Sequence, residues 1–438
     1  MNRTLSKVHD ALRQPWMLAL LLAACIPAFP EYMAPFFAIG SLTAAGYDAR
    51  LHRRMVVLGP IGKMLLLYIG YMCFGMLYTR TPLESAGTIL MWCAMFAAYL
   101  SLSTILADRS RLDTALTVFA AVASGIGAIG CLQYLLYKAG LPVSLQVWEW
   151  LDRVVYDILP LNVNIAVEGV RVSATFSNPN ILGQYMVMAT PFLAYCAFHG
   201  GTRRLQLLCR FGLLAVIGCV AFSFSRGAYL ALLMIALVFA IANIRRILSI
   251  ALCAVSALVL VPDTVLARLI SVRGLDASIV ERLDVWEISF GVIAQNPLFG
   301  TGPGVQHLWD VLVANGINAP HAHNLLFQLL VEGGLIGVIL MLVIGWRLAQ
   351  NTIELVVRRR DRAIGVVFVA FAVGFCTNAL VEYAFLSPKL IGMFLMVLAL
   401  SDCVCRQRLA HPACALVETL PFRLTRRKTR HVAYTRTK

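Results

Sequence analysis

An all-α, polytopic membrane protein is the fold class this sequence predicts, on three observations. Hydrophobic residues make up 60% of the chain and charged residues only 13%, with a mean hydropathy of +0.79, a balance that a water-soluble core cannot use. Apolar runs approaching the roughly 20 residues that a bilayer crossing requires recur along all 438 residues. Arginines and lysines return in every second connection between those runs, the pattern the positive-inside rule gives to cytoplasmic loops.

Hydropathy places about twelve transmembrane helices, near 15–29, 33–48, 56–78, 85–106, 113–137, 181–198, 206–224, 227–243, 247–262, 323–347, 363–385 and 388–403. The chain then divides into a cytoplasmic N-terminus (1–14), five spans (15–137), a connection (138–180), four spans (181–262), a second long connection (263–322), three spans (323–403) and a basic tail (404–438). The recurring basic groups are Arg3, Lys7 and Arg13; Arg50, Arg53 and Arg54; Arg109 and Arg111; Arg203, Arg204 and Arg210; Arg245 and Arg246; Arg358, Arg359, Arg360 and Arg362; and Arg406 to Lys438. Both termini are therefore expected inside, and both long connections outside.

A formal charge of +15 is accounted for by this topology signal and by a tail facing lipid headgroups. No folded nucleic-acid reader accompanies the basic residues, so nucleic acid is not an expected partner. The twelve cysteines fall in expected spans or on the inner side and imply no disulfide framework. Cys403 and Cys405 lack the two further ligands a zinc site needs. LAAC at 22–25 resembles a lipobox, but the chain stays apolar beyond Cys25, as a retained span does.

Long connections between otherwise short ones carry function more often than not. The first contains LQVWEWLDRVVYDIL, with Trp148, Trp150, Val154, Val155 and Ile158 opposed by Glu149, Asp152 and Asp157, the pattern of a helix lying at the membrane surface. In the second, SIVERLDVWEISFGVIAQNP offers Ser278 and Glu281 as a capping box and repeats Ile279, Leu283, Trp286 and Phe290 at helical spacing, which predicts a helix starting near 279. FGTGPG (299–304) lacks the lysine and hydroxyl of a phosphate-cradling loop and is expected to be a shaped turn.

Polar reagents on this face are few. His307, His321 and His323 are the outer histidines, and Arg80, Arg153, Arg171, Arg226, Arg268, Arg273 and Arg282 the outer arginines. Arg226 opens an apolar span, where a charge needs a partner. Guanidinium groups bind phosphate oxygens in pairs and suit a diphosphate. A histidine among arginines stays neutral near pH 7 and can take a proton. Together these suit displacement of a lipid diphosphate by a sugar hydroxyl, because the leaving group needs only its charge held. Two other readings stand beside it: His321 and His323 as no more than a cap on the tenth span, and a zinc site on His307, His321 and His323, for which no acid stands near in sequence.

The ordered segments RVSATFSNPNILG (171–183), SFSRGAYLAL (223–232), ERLDVW (281–286) with QNPLFGTGPG (295–304), and HAHNLLFQLLVEGGLIG (321–337) resemble the O-antigen ligase and polymerase superfamily, and by size and layout its ligases. The likeness covers roughly residues 171–400; the first five spans are similar only in hydropathy. It implies a GT-C-type glycosyltransferase with about twelve transmembrane helices and periplasmic loop helices in the bacterial inner membrane. Such an enzyme works at the periplasmic face and moves an O-antigen glycan from undecaprenyl diphosphate to lipid A-core, inverting the anomeric centre without metal, nucleotide or other cofactor. Carried over by motif, Arg226 and Arg282 hold the diphosphate, Arg171 is a further diphosphate contact, and His323, directly before Asn324, is the base. His321 departs from a single-histidine pattern and leaves two imidazoles open for that role. Asn180, Asn324 and Glu332 are expected to be structural, the asparagines as caps and Glu332 in a helix-to-helix hydrogen bond. An O-antigen polymerase shares these motifs with a second lipid-linked glycan as acceptor. A protein O-oligosaccharyltransferase also carries HxHNLLxQLL, and a lipid-linked glycan flippase would show an internal repeat, which this chain does not.

Overall fold

The computed structural model describes residues 14–141, 144, 146–151, 171–242, 277–358 and 361–409. Its helices are α1 (Pro15–Cys25), α2 (Ala34–Leu51), α3 (Pro60–Gly75), α4 (Pro82–Ile105), α5 (Leu112–Lys138), α6 (Pro179–His199), α7 (Arg203–Ser223), α8 (Arg226–Ala242), α9 (Ala277–Gln295), α10 (Gln306–Ala314), α11 (Leu325–Val357), α12 (Arg362–Ala379) and α13 (Pro388–Leu409). Proline opens α1, α3, α4 and α6, where its missing N–H costs no hydrogen bond. Side chains of Asn178, Thr202, Asn324 and Asp361 cap α6, α7, α11 and α12.

Seven of these helices are long and apolar enough to cross a membrane, and the protein is a polytopic membrane protein. Four more of the expected spans are helical but shorter or less apolar: α1, α2, α3 and α8. The remaining one, 247–262, lies outside the described residues. α13 and α6 run through the interior, with 94% and 83% of their most apolar stretches buried by protein, whereas α7, at 28%, lies on the periphery. That is why α13 can carry a buried polar cluster. Asp402 accepts from Ile61 N–H (2.9 Å), Tyr99 Oη (2.7 Å) and Asn351 Nδ2 (3.0 Å), joining α13 to α3, α4 and α11. With Arg111 on Asp48 at 2.8 Å, this ties one end of the bundle together. The described basic residues Arg50, Arg53, Arg54, Arg109, Arg203, Arg204, Arg358 and Arg362 belong to helix ends and turns at that same end.

The other end is built around a broken helix. α11 has a non-helical residue, Gly334 (φ 57°, ψ −161°), which frees backbone groups that a membrane cannot solvate. The glycine-rich turn takes their place. Thr301 and Gly302 N–H donate to Val331 and Glu332 carbonyls (2.7 and 3.1 Å), and Leu335 and Ile336 N–H donate to Pro297 and Leu298 carbonyls (2.9 and 3.2 Å). Tyr71 Oη donates to the Gly333 carbonyl at 2.6 Å. Such close approach needs glycine: Gly300 sits at φ +71°, and a Cβ there would lie 2.6 Å from the Glu332 backbone. Gly300→Ala is therefore expected to cost roughly 1–3 kcal/mol from the dihedral alone, with the clash adding to it. Gly291→Ala on α9, with no neighbour within 4 Å, should be neutral or stabilising. Thermal unfolding of both variants in detergent checks the contrast.

The surface helix of the first connection is described only at 149–151; Val154, Val155, Ile158, Asp152 and Asp157 lie outside the described residues. Trp148 donates to the Ala28 carbonyl (2.9 Å) and stacks on Phe29. α9 is already helical at Ala277, so Ser278 stands inside the helix and not at its cap.

Candidate active site

α9, α10 and the segment 317–327 form a small apolar core of their own around Val285, Val292, Leu308, Leu312, Ala322 and Val331. It seats α9 across the end of the bundle, and the Trp286 indole donates to the Ala322 carbonyl at 2.9 Å. That placement delivers Arg282 to the connection between α12 and α13. Its guanidinium donates to the Val381 carbonyl and to Glu382 Oε1, both at 2.8 Å.

Glu382 collects the other groups. Asn180 Nδ2 donates to Oε1 at 2.9 Å, and Arg171 donates to Asn180 Oδ1 and to the Ser223 carbonyl. His323 Nδ1 lies 3.5 Å from Oε2, too far for a good hydrogen bond; it is buried and has no hydrogen-bond partner. Arg226 stands at the start of α8, whose next residue packs on the same connection. Gly227 abuts Val381 and Asn378 so closely that a Cβ would lie 2.6 Å from the Val381 side chain. The fold therefore brings Arg282, Asn180 and His323 to one carboxylate, with Arg171 bound through Asn180 and Arg226 at the adjoining helix start.

Two hydrogen-bonded relays fix the backbone on either side. Ala322 N–H donates to Gln328 Oε1 (2.9 Å), and Gln328 Nε2 donates to Glu332 Oε1 (2.9 Å). Tyr383 Oη donates to the same Glu332 oxygen at 2.8 Å, and Gly304 N–H to Oε2 at 3.3 Å. Glu332 thus joins its helix to two connections, whereas a helix-to-helix bond was expected. Asn324 caps α11 as expected, through Leu326 and Phe327 N–H (2.9 and 3.2 Å). Asn180 does not cap; Asn178 does, which leaves the Asn180 amide for Glu382 and Arg171.

The two imidazoles differ. His321 Nδ1 accepts from the His323 N–H at 3.1 Å, so the neutral ring carries its proton on Nε2. Burial pushes His321 down to about 3, helped by His323 and Arg282 and opposed by Glu382. His323 stands at φ +47°, a left-handed backbone that costs about 1–2 kcal/mol for a residue with a side chain. Strain of that kind persists where surrounding structure over-determines it, and here the His321 and Ala322 bonds do so. At Glu382, burial acts to raise the carboxyl, but the approach of His323 and the charge of Arg282 outweigh it and hold the group below the usual carboxylate range.

His321, His323 and Glu382 offer ligand atoms within 4.8 Å of one another and could converge on a cation. A guanidinium already neutralises that carboxylate, however, and would repel a second cation. His307, on α10, is not part of this group.

Sequence reading missed Glu382. The eleventh expected span ran to 385 and absorbed it, whereas α12 ends at Ala379. A carboxylate inside an expected span was itself the signal.

The architecture and this cluster define a class: a polytopic helical membrane protein with an arginine–carboxylate–imidazole site at one end of its bundle. Residues 211–342 match the family described as O-Antigen ligase, which supports membership of the O-antigen ligase and polymerase superfamily. The matched stretch holds Arg226, Arg282, His321, His323, Asn324 and Glu332; Arg171, Asn180 and Glu382 lie outside it. No curated protein matches the chain.

Proposed function

We propose that the protein is a periplasmic-face glycosyltransferase that moves an O-antigen glycan from undecaprenyl diphosphate to lipid A-core. The observation that carries this reading is the convergence of Arg282 and His323 on one carboxylate, with Arg171 bound through Asn180 and Arg226 at the adjoining helix start. Guanidinium groups around an imidazole are what a lipid diphosphate donor and a hydroxyl acceptor require. The basic residues gathered at the opposite end of the bundle support an outward-facing cluster, both termini inside and residence in the inner membrane.

In the reaction, an acceptor hydroxyl oxygen forms a bond to the anomeric carbon while the bond from that carbon to the phosphate oxygen breaks. The electron pair leaves with the diphosphate, whose charge Arg226 and Arg282 hold, with Arg171 beyond them. The hydroxyl proton passes to His323. Attack opposite the leaving group inverts the centre, and no metal is needed where guanidinium groups supply the positive charge.

The deciding experiment gives the purified protein undecaprenyl-diphosphate glycan and offers lipid A-core, a second lipid-linked glycan or a pilin-like peptide. Modification of lipid A-core is the expected result. A lengthened lipid-linked glycan would make the protein a polymerase, and a modified peptide a protein glycosyltransferase.

A further inference from the structure

Glu382 stands between the group proposed to hold the diphosphate and the group proposed to take the proton. Arg282 and Asn180 occupy Oε1, while Oε2 faces a buried, unpartnered His323 Nδ1 across 3.5 Å. The His323 side chain is still 23% exposed, and with Nδ1 sealed its only other ring nitrogen is Nε2.

We propose that Glu382 is a positioning residue that exchanges partners during the reaction: a lipid diphosphate arriving on Arg282 draws the guanidinium away, and the carboxylate then closes on His323 Nδ1. The inference deepens the glycosyl-transfer reading and rests on it. A diphosphate carries more charge than one carboxylate and accepts both arms of the guanidinium fork. Arg282 gives up only a neutral Val381 carbonyl on its other arm. The carboxylate left behind is buried and cannot stay uncompensated.

Every titratable or charged neighbour bears on what replaces the guanidinium. Arg282 comes from α9, Arg226 from the start of α8, and Arg171 acts through Asn180 of α6. His321 lies on the same lead-in as His323, Tyr383 adjoins Glu382, and Glu332 of α11 stands behind Tyr383. The arginines are cationic and turn to the diphosphate, Tyr383 donates to Glu332, and His321 uses its Nδ1 to accept from a backbone N–H. His323 is the group that can answer the freed charge. A carboxylate on Nδ1 fixes the proton there, leaves the Nε2 lone pair for the acceptor hydroxyl, and stabilises the imidazolium that forms. Donor binding in this way prepares the base, and the base is not prepared until donor is bound.

The test is ¹⁵N NMR of ring-labelled histidine in the full-length protein near neutral pH, with and without undecaprenyl diphosphate, beside donor affinity and kcat. Donor should shift wild-type His323 to the tautomer with its proton on Nδ1 and an unprotonated Nε2. Glu382→Gln presents an amide N–H to Nδ1, which forces the unproductive tautomer. It should bind as tightly or more tightly, show the proton on Nε2, and lose roughly 10²- to 10⁴-fold in kcat. Wild-type binding with no change of tautomer, or the same tautomer and kcat in the variant, overturns the proposal. Failure of wild type to bind undecaprenyl diphosphate at all overturns the glycosyl-transfer reading and this one with it. If E382Q does not fold, Glu382→Asp decides: one methylene shorter with its charge kept, it should lose about tenfold or more in kcat, and an unchanged kcat overturns the proposal.

Discussion

Replacing His323 with alanine should lower glycan transfer roughly 10²- to 10⁴-fold, the range general-base catalysis supplies, while the protein still folds and still binds lipid diphosphate. Folding is expected to survive because what ties 321–324 in place runs mainly through backbone and other side chains. Ala322 N–H bonds Gln328, Trp286 bonds the Ala322 carbonyl, and Asn324 caps α11. Binding should survive because the arginines come from α8, α9 and the start of the α6 segment. His321 cannot substitute, since its Nδ1 is committed to a backbone N–H and its burial holds it neutral until about pH 3. Single-turnover transfer measured beside donor binding separates the two effects. Unchanged turnover would remove His323 from the chemistry.

Replacing Arg282 with alanine should abolish measurable transfer and also destabilise the protein. Loss of one donor aimed at developing charge costs about 10²- to 10³-fold, and lysine should restore little because it cannot reproduce a fork that reaches Glu382 and Val381 together. Stability should fall by about 2 kcal/mol, because Glu382 loses its neutralising partner; the figure lies below the roughly 3–5 kcal/mol of a fully buried pair because the Arg282 side chain is 25% exposed. Adding Glu382→Gln to the alanine variant removes the stranded charge, so the double variant should recover stability and not activity. Thermal unfolding of the four proteins gives the coupling energy directly. Full activity of Arg282→Lys would argue against paired recognition of phosphate oxygens.

Much of the fold was legible because hydropathy and charge parity are read locally. Eleven of the twelve expected spans are helices among the described residues, and the described members of the basic groups fall at one end. The site was legible in its donors and not in its centre. Arg171, Arg226, Arg282 and His323 stood out as charges or imidazoles where topology disfavoured them, whereas Glu382 was hidden in an apolar stretch whose helix stops three residues earlier. Asn180 was misjudged because Asn178 and Asn180 flank the same proline, and sequence alone does not say which side chain turns back to the helix start. The break at Gly334 was likewise unreadable, since the carbonyls it frees are satisfied by residues more than a helix away.

The turn at 297–304 acts as a splint across the fracture in α11, lending its own peptide groups to both broken pieces. A splint cannot also be a door. The first half of α11, the lead-in that carries the two histidines and the glycine turn are thereby held together as one piece. The seam where α9 meets the α12–α13 connection is clasped instead by the two bonds of Arg282, the bonds that the proposed anionic donor would take over.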